Sequence, residues 1–268
     1  MLPGVFCAKK KDGTEYFRSS ITFKSKHISL GSFPTERQAA DAYRLADNIL
    51  HDDSYSMDSL SYDMSLHQGL LAFTKWIVLL NFRDNNMYIK TPIYLRKNFF
   101  HYYFSQDDFL TFDIDDLFYY STRTISRRGG HLFVADYGMQ VNILSRYGIK
   151  NYAVEGRDFR FINGDTKDFR YTNIEIINRF HGVCRKISGD TEFFETKIHW
   201  NGDFIVGRYS TETEAAVAYN KAASTLITKG YIKEFPVNYI EDLSAGEYQN
   251  IYKNVKISER LKNLKPLP

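Results

Sequence analysis

Residues 17–24 of the chain alternate between a mostly apolar set and a polar set. A period of two is typical of a strand in an antiparallel sheet, with one face buried and the other in solvent. We therefore predict a half-buried strand over this stretch. The predicted inner positions are Phe17, Ser19, Ile21 and Phe23, and the outer positions are Arg18, Ser20, Thr22 and Lys24.

A helical period follows the strand pattern. Thr35 is a residue type that caps helix N-termini, and small residues recur behind it at helical spacing. Alanines at these positions let a helix lie close to a sheet. The positions that share the predicted helix face are Ala39, Ala42, Tyr43 and Ala46.

The same pattern occurs twice in the chain. The spacing between the copies is 178 residues from Gly4 to Gly182 and 176 residues from Ala39 to Ala215, so the difference falls in turns. Such spacing indicates a duplicated domain. The matching segments of the second copy are Gly182-Val183, Phe194–Ile198, Val206–Tyr209, Thr211-Glu212, Ala215-Ala216, Ala218-Tyr219 and Ala222.

Each copy carries Gly-Val, an aromatic residue four positions before an isoleucine, and a Thr-x-x-x-Ala-Ala-x-Ala-Tyr segment. Over residues 3–50 and 181–230 the chain thereby resembles the APETALA-two/ethylene-response-factor DNA-binding domain. The resemblance implies a three-stranded sheet whose outward face enters the major groove of double-stranded DNA. It implies the groove-facing positions Phe6, Ala8, Arg18, Ser20, Thr22, His27 and Ser29 in copy one, and Cys184, Lys186, Glu195, Lys197, His199, Asp203 and Ile205 in copy two.

The charges of the two copies differ. Lysines surround the implied groove-facing positions of copy one, whereas Glu195 and Asp203 of copy two would repel phosphate. We expect copy one to contact DNA, because phosphate neutralisation supplies most non-specific affinity, and copy two to contact either DNA or protein. The predicted DNA-binding residues are Lys9, Lys10, Lys11, Arg18, Ser20, Thr22, Lys24, Lys26 and His27, with Arg185, Lys186, Lys197 and His199 in copy two.

A second motif lies between the copies. The segments Ile162–Asp165 and Asp168–Ile174 carry an Asn-Gly turn followed by Asp-x-Arg-x-x-Asn, and they resemble the core of an HNH nuclease domain. The resemblance places the catalytic histidines at Arg160 and Phe161, and neither side chain can accept a proton near neutral pH or ligate a metal. It therefore implies a scaffold with no catalytic residue, no metal and no cofactor.

Asn173 of this motif is expected on a short helix, where it hydrogen-bonds the turn. Leu144-Ser145-Arg146 also lacks the histidine of a family Leu-His-Arg element. The nearby imidazoles are those of His101, His131 and His181. His131 lies at a predicted hairpin and His181 borders the second copy, so neither of these two falls at HNH spacing.

The middle of the chain contains helical and aromatic patterns. Residues 51–63 are rich in Ser and Asp and predict a linker, and Leu66, Leu70, Phe73, Ile77 and Leu80 predict a helix. Thr91-Pro92 predicts another helix, carrying aromatic residues from Tyr94 to Phe104 that form either a core or a base-stacking platform. Strand patterns around Phe118–Ile125 and Leu132–Ala135 predict a hairpin across Arg127-Arg128-Gly129-Gly130, whose arginines contact phosphate or solvent.

Composition adds few constraints. The formal charge of +3 and the pI of about 8.6 are only mildly basic, so charge distribution matters more than the total. The two cysteines are far apart, which excludes a disulfide framework and a cysteine zinc site. Neither a secretory signal nor an apolar stretch of about 18 residues occurs, so we expect a cytoplasmic, nucleoid-associated protein.

These patterns predict an α+β fold in which two small domains, each a three-stranded antiparallel sheet plus a helix, flank a helical and aromatic segment and a degenerate HNH-like ββα domain. The predicted segments are residues 1–52 (first DNA-binding copy), 53–104 (linker and helical segment), 105–180 (degenerate HNH-like domain), 181–240 (second copy) and 241–268 (C-terminal tail).

The leading hypothesis is a non-enzymatic double-stranded DNA-binding regulator of bacterial, phage or mobile-element origin, derived from an HNH endonuclease. Two other hypotheses stay open. One is a protein-interaction module that antagonises a host nucleic-acid-handling enzyme. The other is a divalent-metal-dependent nuclease with unusual ligands. We expect no membrane and no small-molecule substrate.

Overall fold

The computed structural model describes residues 2–57, 70–231 and 233–265. Over these residues the protein is a mixed α+β structure with four three-stranded antiparallel sheets, one two-stranded sheet and few helices. The predicted α+β class with small three-stranded sheets is thereby confirmed. Leu66 and residues 58–63 of the predicted linker lie outside the described residues. Across the described ranges, no helix combines the length and apolarity that a membrane crossing requires.

The first sheet has the order β1-β2-β3 and is followed by a helix. The predicted alternation is confirmed, because Ser19 and Ile21 are buried while Arg18 and Thr22 are exposed. The predicted cap is confirmed as well: the hydroxyl of Thr35 accepts a hydrogen bond from the backbone N–H of Gln38. The elements are β1 (Val5–Lys9), β2 (Glu15–Phe23), β3 (Lys26–Phe33) and α1 (Glu36–His51).

Gly4 fixes the approach of the helix to the sheet. It has a positive φ of 70°, and a Cβ built on it would lie 2.0 Å from the Cδ2 atom of Tyr43. Only glycine allows this ring to rest against the strand entry. The buried alanines beside it on α1 confirm the prediction of a helix close to the sheet.

The second copy repeats the first. Gly182 has a φ of 72°, and its Cβ would lie 2.6 Å from the ring of Tyr219. The hydroxyl of Thr211 accepts from the N–H of Glu214, as the hydroxyl of Thr35 does from Gln38. The elements are β12 (Val183–Ser188), β13 (Thr191–His199), β14 (Asp203–Tyr209) and α4 (Glu212–Thr228).

The helix predicted after Pro92 is wrong. This stretch forms β4 (Ile93–Leu95) and β5 (Phe99–Ser105), which pair with each other. β5 also pairs with β6 (Asp108–Asp113), and helix α2 (Phe73–Asn85) lies before them. Aromatic residues favour strands, and tertiary pairing decides the outcome here. The core interpretation is confirmed for the rings of Tyr94, Phe100, Tyr102 and Tyr103, all of which are buried.

The predicted hairpin is confirmed at its tip. Gly129 and Gly130 both have positive φ and join β7 (Ile125–Arg128) to β8 (His131–Asp136), with β9 (Met139–Asn142) as the third strand. The predicted strand Phe118–Ile125 is wrong over residues 118–120, which belong to the short helix α3 (Leu117–Tyr120).

Around the motif predicted as an HNH-like ββα domain, the described residues form two paired strands and no α-helix directly after them. β10 (Phe159–Phe161) and β11 (Ile174–Ile176) make the two strands, but no α-helix lies between Tyr120 and Glu212, a range that the structure describes in full. The helical part of the prediction is therefore wrong. After β11 the backbone N–H groups of residues 177 and 178 donate to the carbonyl of Asp158, so the chain bonds to a loop and not to its own helix.

Asn173 ends a single 3-10 turn, Tyr171–Asn173, and not a short α-helix. Its side-chain amide donates to the carbonyl oxygens of Asp165 at 3.3 Å and Asp168 at 2.8 Å. Asn173 thereby holds residues 165–168, which follow the predicted Asn163-Gly164 turn, and its predicted role as a structural hydrogen bonder is confirmed.

The chain forms two compact units. The first contains residues 1–142 and 165–173, and the second contains residues 143–164 and 174–268, so the predicted segment 105–180 contributes to both. In the first unit, one apolar core includes side chains of β2, β3, α1 and α2. In the second unit, α4 shares its core with Ile257 and Leu261, which belong to the predicted tail; that tail contains α5 (Ala245–Asn254) and α6 (Glu259–Lys262).

Candidate nucleic-acid interface

The solvent side of the first sheet, here called the first outer face, is open. Cross-strand pairs place Arg18 between Phe6 and Ser32, and Thr22 beside His27. No side chain of this face is buried. Its members are Phe6, Ala8, Tyr16, Arg18, Ser20, Thr22, His27, Ser29 and Ser32.

Arg18 is the one arginine or lysine of the first outer face, which carries no carboxylate. Its guanidinium donates to the hydroxyl of Tyr16 at 2.7 Å and lies 5.5 Å from the centre of that ring. Phe6, its neighbour on β1, is 54% exposed. A cation held beside exposed aromatic rings can meet a phosphate or the edge of a guanine.

The turn between β1 and β2 carries the lysines next to this face. The N–H of Lys10 donates to the carbonyl of Thr14 at 2.9 Å, which holds the turn, and the side chains of Lys10 and Lys11 are exposed. Lys9 is different because its ammonium lies 3.2 Å from the carboxylate of Glu15. The turn therefore presents two cations in solvent and one that is ion-paired.

Two predicted DNA-binding lysines face elsewhere. Lys26 pairs with Phe23 on the inner side of the sheet, and its ammonium lies 5.1 Å from the ring centre of Tyr88. Lys24 donates to the carbonyl of Arg83 and to the side chain of Asn86 at the end of α2. The proposed interface therefore leaves out both residues.

The corresponding side of the second sheet, the second outer face, carries two carboxylates that pair with most of its cations. Glu195 is only 7% exposed, and it lies 3.5 Å from the ammonium of Lys197 and 3.2 Å from the guanidinium of Arg208. The residues of this face are Cys184, Lys186, Phe193, Glu195, Lys197, His199, Asp203, Ile205 and Arg208.

Among the other DNA-binding residues predicted in copy two, His199 and Arg185 pair with carboxylates and Lys186 is exposed. His199 and Asp203 are paired at 2.8 Å, and this hydrogen bond lowers the pKa of the Asp203 carboxyl. Arg185 pairs with Glu192 on the inner side of the sheet, and this contact raises the pKa of the guanidinium. Lys186 is exposed on the second outer face.

An upstream segment of the second unit also reaches this face. Tyr152, Arg157 and Asp158 line a cavity of about 190 Å³ together with Cys184 and Lys197. This end of the second outer face is therefore less accessible than the first outer face.

The HNH-like positions hold structural contacts. Arg160 is ion-paired with Glu175 across the β10–β11 hairpin, and Phe161 is buried. His101 is half-buried against Phe109, and burial lowers its pKa to about 4. Among the described residues, no group of three or more His, Cys, Asp or Glu side chains is placed to hold a metal ion.

Arg127 was predicted to contact phosphate or solvent, and the structure gives it a protein partner. Its guanidinium forms a two-bond ion pair with Asp108 and lies 4.1 Å from the ring centre of Phe104. The hydrogen bond from Arg127 lowers the pKa of Asp108 to about 2. Arg128, at the same hairpin tip, is exposed.

Sequence reasoning missed a cavity of about 830 Å³ in the first unit. Tyr88, Lys90 and Phe104 contribute to its wall. The aromatic run from Tyr94 to Phe104 was a signal for stacking groups, but neither Tyr88 nor Lys90 belongs to a recognisable motif.

Comparison with known proteins gives no match: no family model, no curated protein and no solved structure matches this chain.

Proposed function

We propose that the protein binds double-stranded DNA through the first outer face, without cleaving it. In this proposal the sheet enters a major groove, Arg18 meets a base edge or a phosphate, and Lys10 and Lys11 neutralise the flanking backbone. The observation that carries the proposal is an exposed sheet face with one arginine, aromatic neighbours and no carboxylate. Two-stranded ribbons and sheets fit the major groove of B-form DNA.

The chemistry of the face suits this role. Arginine bonds to guanine through two N–H groups, and the hydroxyls of Ser20, Thr22 and Ser29 can donate to or accept from any base edge. Phosphate contacts fix the register of a protein on the duplex, and base contacts provide the specificity. The proposed role is that of a regulator which binds DNA in the cytoplasm.

The second outer face supports a different role for the second unit. Lys197 and Arg208 pair with Glu195, and His199 pairs with Asp203. Lys186 is exposed on the same face, and Ile205 there is 49% exposed. An exposed apolar side chain surrounded by polar groups resembles the apolar centre and polar rim of a protein interface. We therefore propose a protein partner for this face as the second candidate function.

The first test is binding to random-sequence duplex DNA, measured by fluorescence anisotropy over a range of salt concentrations. We expect Arg18→Glu to lower the affinity at least tenfold and to make the salt dependence shallower by about one counterion, because one phosphate contact is lost. The matched control is Lys186→Glu on the second outer face. We expect it to bind within about twofold of wild type.

Three outcomes separate the hypotheses. Equal binding by wild type, Arg18→Glu and Lys186→Glu would reject the first outer face as the DNA interface. A larger loss from Lys186→Glu would move the interface to the second unit. Plasmid nicking that requires Mg²⁺ would establish a nuclease and reject the non-enzymatic proposal.

A further inference from the structure

The first unit contains a cavity of about 830 Å³, which Lys26 at the start of β3 borders. Its volume lies within the range of about 300–1,000 Å³ that is common for small-molecule sites, and it is large enough for a nucleotide. The lining residues come from the start of β3, the first turn of α2, the stretch before β4, the end of β5 and the stretch that leads into β7.

The charge of the cavity is positive. Lys26 and Lys90 lie on its wall, and none of its lining residues is Asp or Glu. The side chain of Lys90 is exposed, so its ammonium can reach a ligand at the rim. A low-dielectric wall with two ammonium groups and no carboxylate favours an anion over a cation.

Aromatic rings form part of the wall. The rings of Tyr88 and Phe104 are partly exposed and line the cavity, and each already has a cation beside it. The ammonium of Lys26 lies 5.1 Å from the ring centre of Tyr88, and the guanidinium of Arg127 lies 4.1 Å from that of Phe104. Proteins commonly bind single strands by stacking unpaired bases on aromatic rings, while nearby cations contact the phosphates.

The floor of the cavity is preformed. The buried hydroxyl of Thr91 donates to the carbonyl of Tyr120 at 3.0 Å, and the buried hydroxyl of Tyr102 accepts from the N–H of Ile125 at 3.0 Å. Because these polar groups are satisfied, a ligand does not have to compete for them. The exposed hydroxyls of Thr74, Thr122 and Thr124 remain at the rim to meet base edges.

We propose that this cavity binds an unpaired nucleotide of a DNA strand, with the base against Tyr88 or Phe104 and the phosphate at Lys26 and Lys90. In this proposal the single-stranded segment comes from a duplex opened beside the first outer face. Lys26 begins β3 next to His27 of that face, so the two sites share this strand. The inference rests on the proposed function for the identity of the polymer, but not on the residues that bind the duplex.

The test uses the full-length protein and a fluorescent oligothymidine of about ten nucleotides, a length that spans more than one binding position. We expect wild type to bind it, and we expect Lys90→Glu and Tyr88→Leu each to weaken binding about tenfold. Tyr88→Leu keeps apolar volume near Phe82 and removes the stacking ring. The matched control is Lys97→Glu, an exposed lysine of the same unit that does not line the cavity.

Duplex binding by the same variants distinguishes the two proposals. We expect Lys90→Glu to keep duplex affinity within about twofold and Arg18→Glu to keep oligothymidine affinity within about twofold. No oligothymidine binding by wild type, or equal binding by wild type, Lys90→Glu and Tyr88→Leu, would overturn the cavity proposal. If Arg18→Glu lost duplex binding and kept oligothymidine binding, the result would support two separate binding sites.

Discussion

The two copies of the sheet-plus-helix module share their inner side and differ on their outer side. In both, a tyrosine ring rests on a positive-φ glycine, and a threonine caps the helix. On the outer side, Arg18 lies between Phe6 and Ser32, whereas Glu195 at the matching position lies between Cys184 and Arg208. One strand position thus carries a cation in solvent in the first copy and a buried carboxylate in the second.

This difference shows which part of the module is constrained by packing. A larger side chain at the glycine, or a polar one on the helix face, would disturb a close-packed interior. The outer residues meet solvent, so substitution there costs little stability and can change the partner. The shared inner side therefore reflects folding, and the divergent outer side reflects binding.

Alanine at the two glycines gives the largest expected effect. A Cβ at Gly4 would lie 2.8 Å from the carbonyl oxygen of Ser20 besides meeting Tyr43, and one at Gly182 would lie 2.4 Å from the carbonyl oxygen of Lys197. We expect each variant to lower the free energy of unfolding of its own unit by about 3 kcal/mol, through overpacking and backbone strain. Hydrogen exchange resolved by peptide reports the two units separately.

Two other glycines serve as controls that separate the cost of backbone strain from the cost of steric collision. Gly13 and Gly189 also have positive φ, but no atom lies within 4 Å of the Cβ that alanine would add. We expect Gly13→Ala and Gly189→Ala to cost about 1 kcal/mol each. If Gly4→Ala were no worse than Gly13→Ala, the contact with Tyr43 would not be what fixes the helix against the sheet.

The elements that form the shared inner side can be predicted from the sequence because their signals are local. The alternation in β2 and the alanine spacing of α1 each depend on one element, and both were predicted. The position of Lys26 was not, since it depends on the two-residue turn at Lys24 and Ser25, which have φ values of 46° and 62°. Such turns usually contain Asn or Gly, so this sequence gives no signal for the register that turns Lys26 inward.

Non-local pairing explains the other differences. The backbone of Thr111 in β6 exchanges hydrogen bonds with Lys167 and Phe169, which adds part of the HNH-like segment to the first unit. Nothing in the local pattern of residues 165–173 indicates that partner. The cavity beside Tyr88 likewise depends on five separate stretches meeting, which no single periodicity predicts.

The next largest expected effect comes from removing a carboxylate from the second outer face, which reduces the charge difference between the two outer faces. Glu195→Gln keeps the shape of the side chain and removes the carboxylate that pairs with Lys197 and Arg208. We expect the released cations to raise affinity for duplex DNA about threefold at low salt, with the gain lost at high salt. Anisotropy measured in the Arg18→Glu background isolates the second face.

Glu192→Gln is the matched control, because Glu192 pairs with Arg185 on the inner side of the second sheet. We expect it to leave DNA affinity unchanged. Equal gains from both variants would mean that net charge, and not the placement of cations on the outer face, sets the affinity.

The smallest expected effect is on the pH dependence of stability, and it involves one histidine in each unit. Burial lowers the pKa of His101 from its ordinary value of 6.5 to about 4, and burial also lowers the pKa of His181. The unfolded chain binds protons near pH 6.5 while the folded units do not, so each neutral imidazole contributes stability that is present above that pH. The contribution is lost as pH falls from 6.5 toward the folded pKa, which for His101 is about 4.

We therefore expect His101→Gln to flatten the acid dependence of stability in the first unit only, and His181→Gln to do so in the second unit only. His131→Gln, at an exposed hairpin position, is the control and should alter neither. Urea unfolding between about pH 7 and about pH 4.5 measures these slopes. Because His101 packs among Phe99, Tyr103 and Phe109, a parallel downward shift at every pH would signify lost packing, and only a change of slope would show that its protonation is linked to folding.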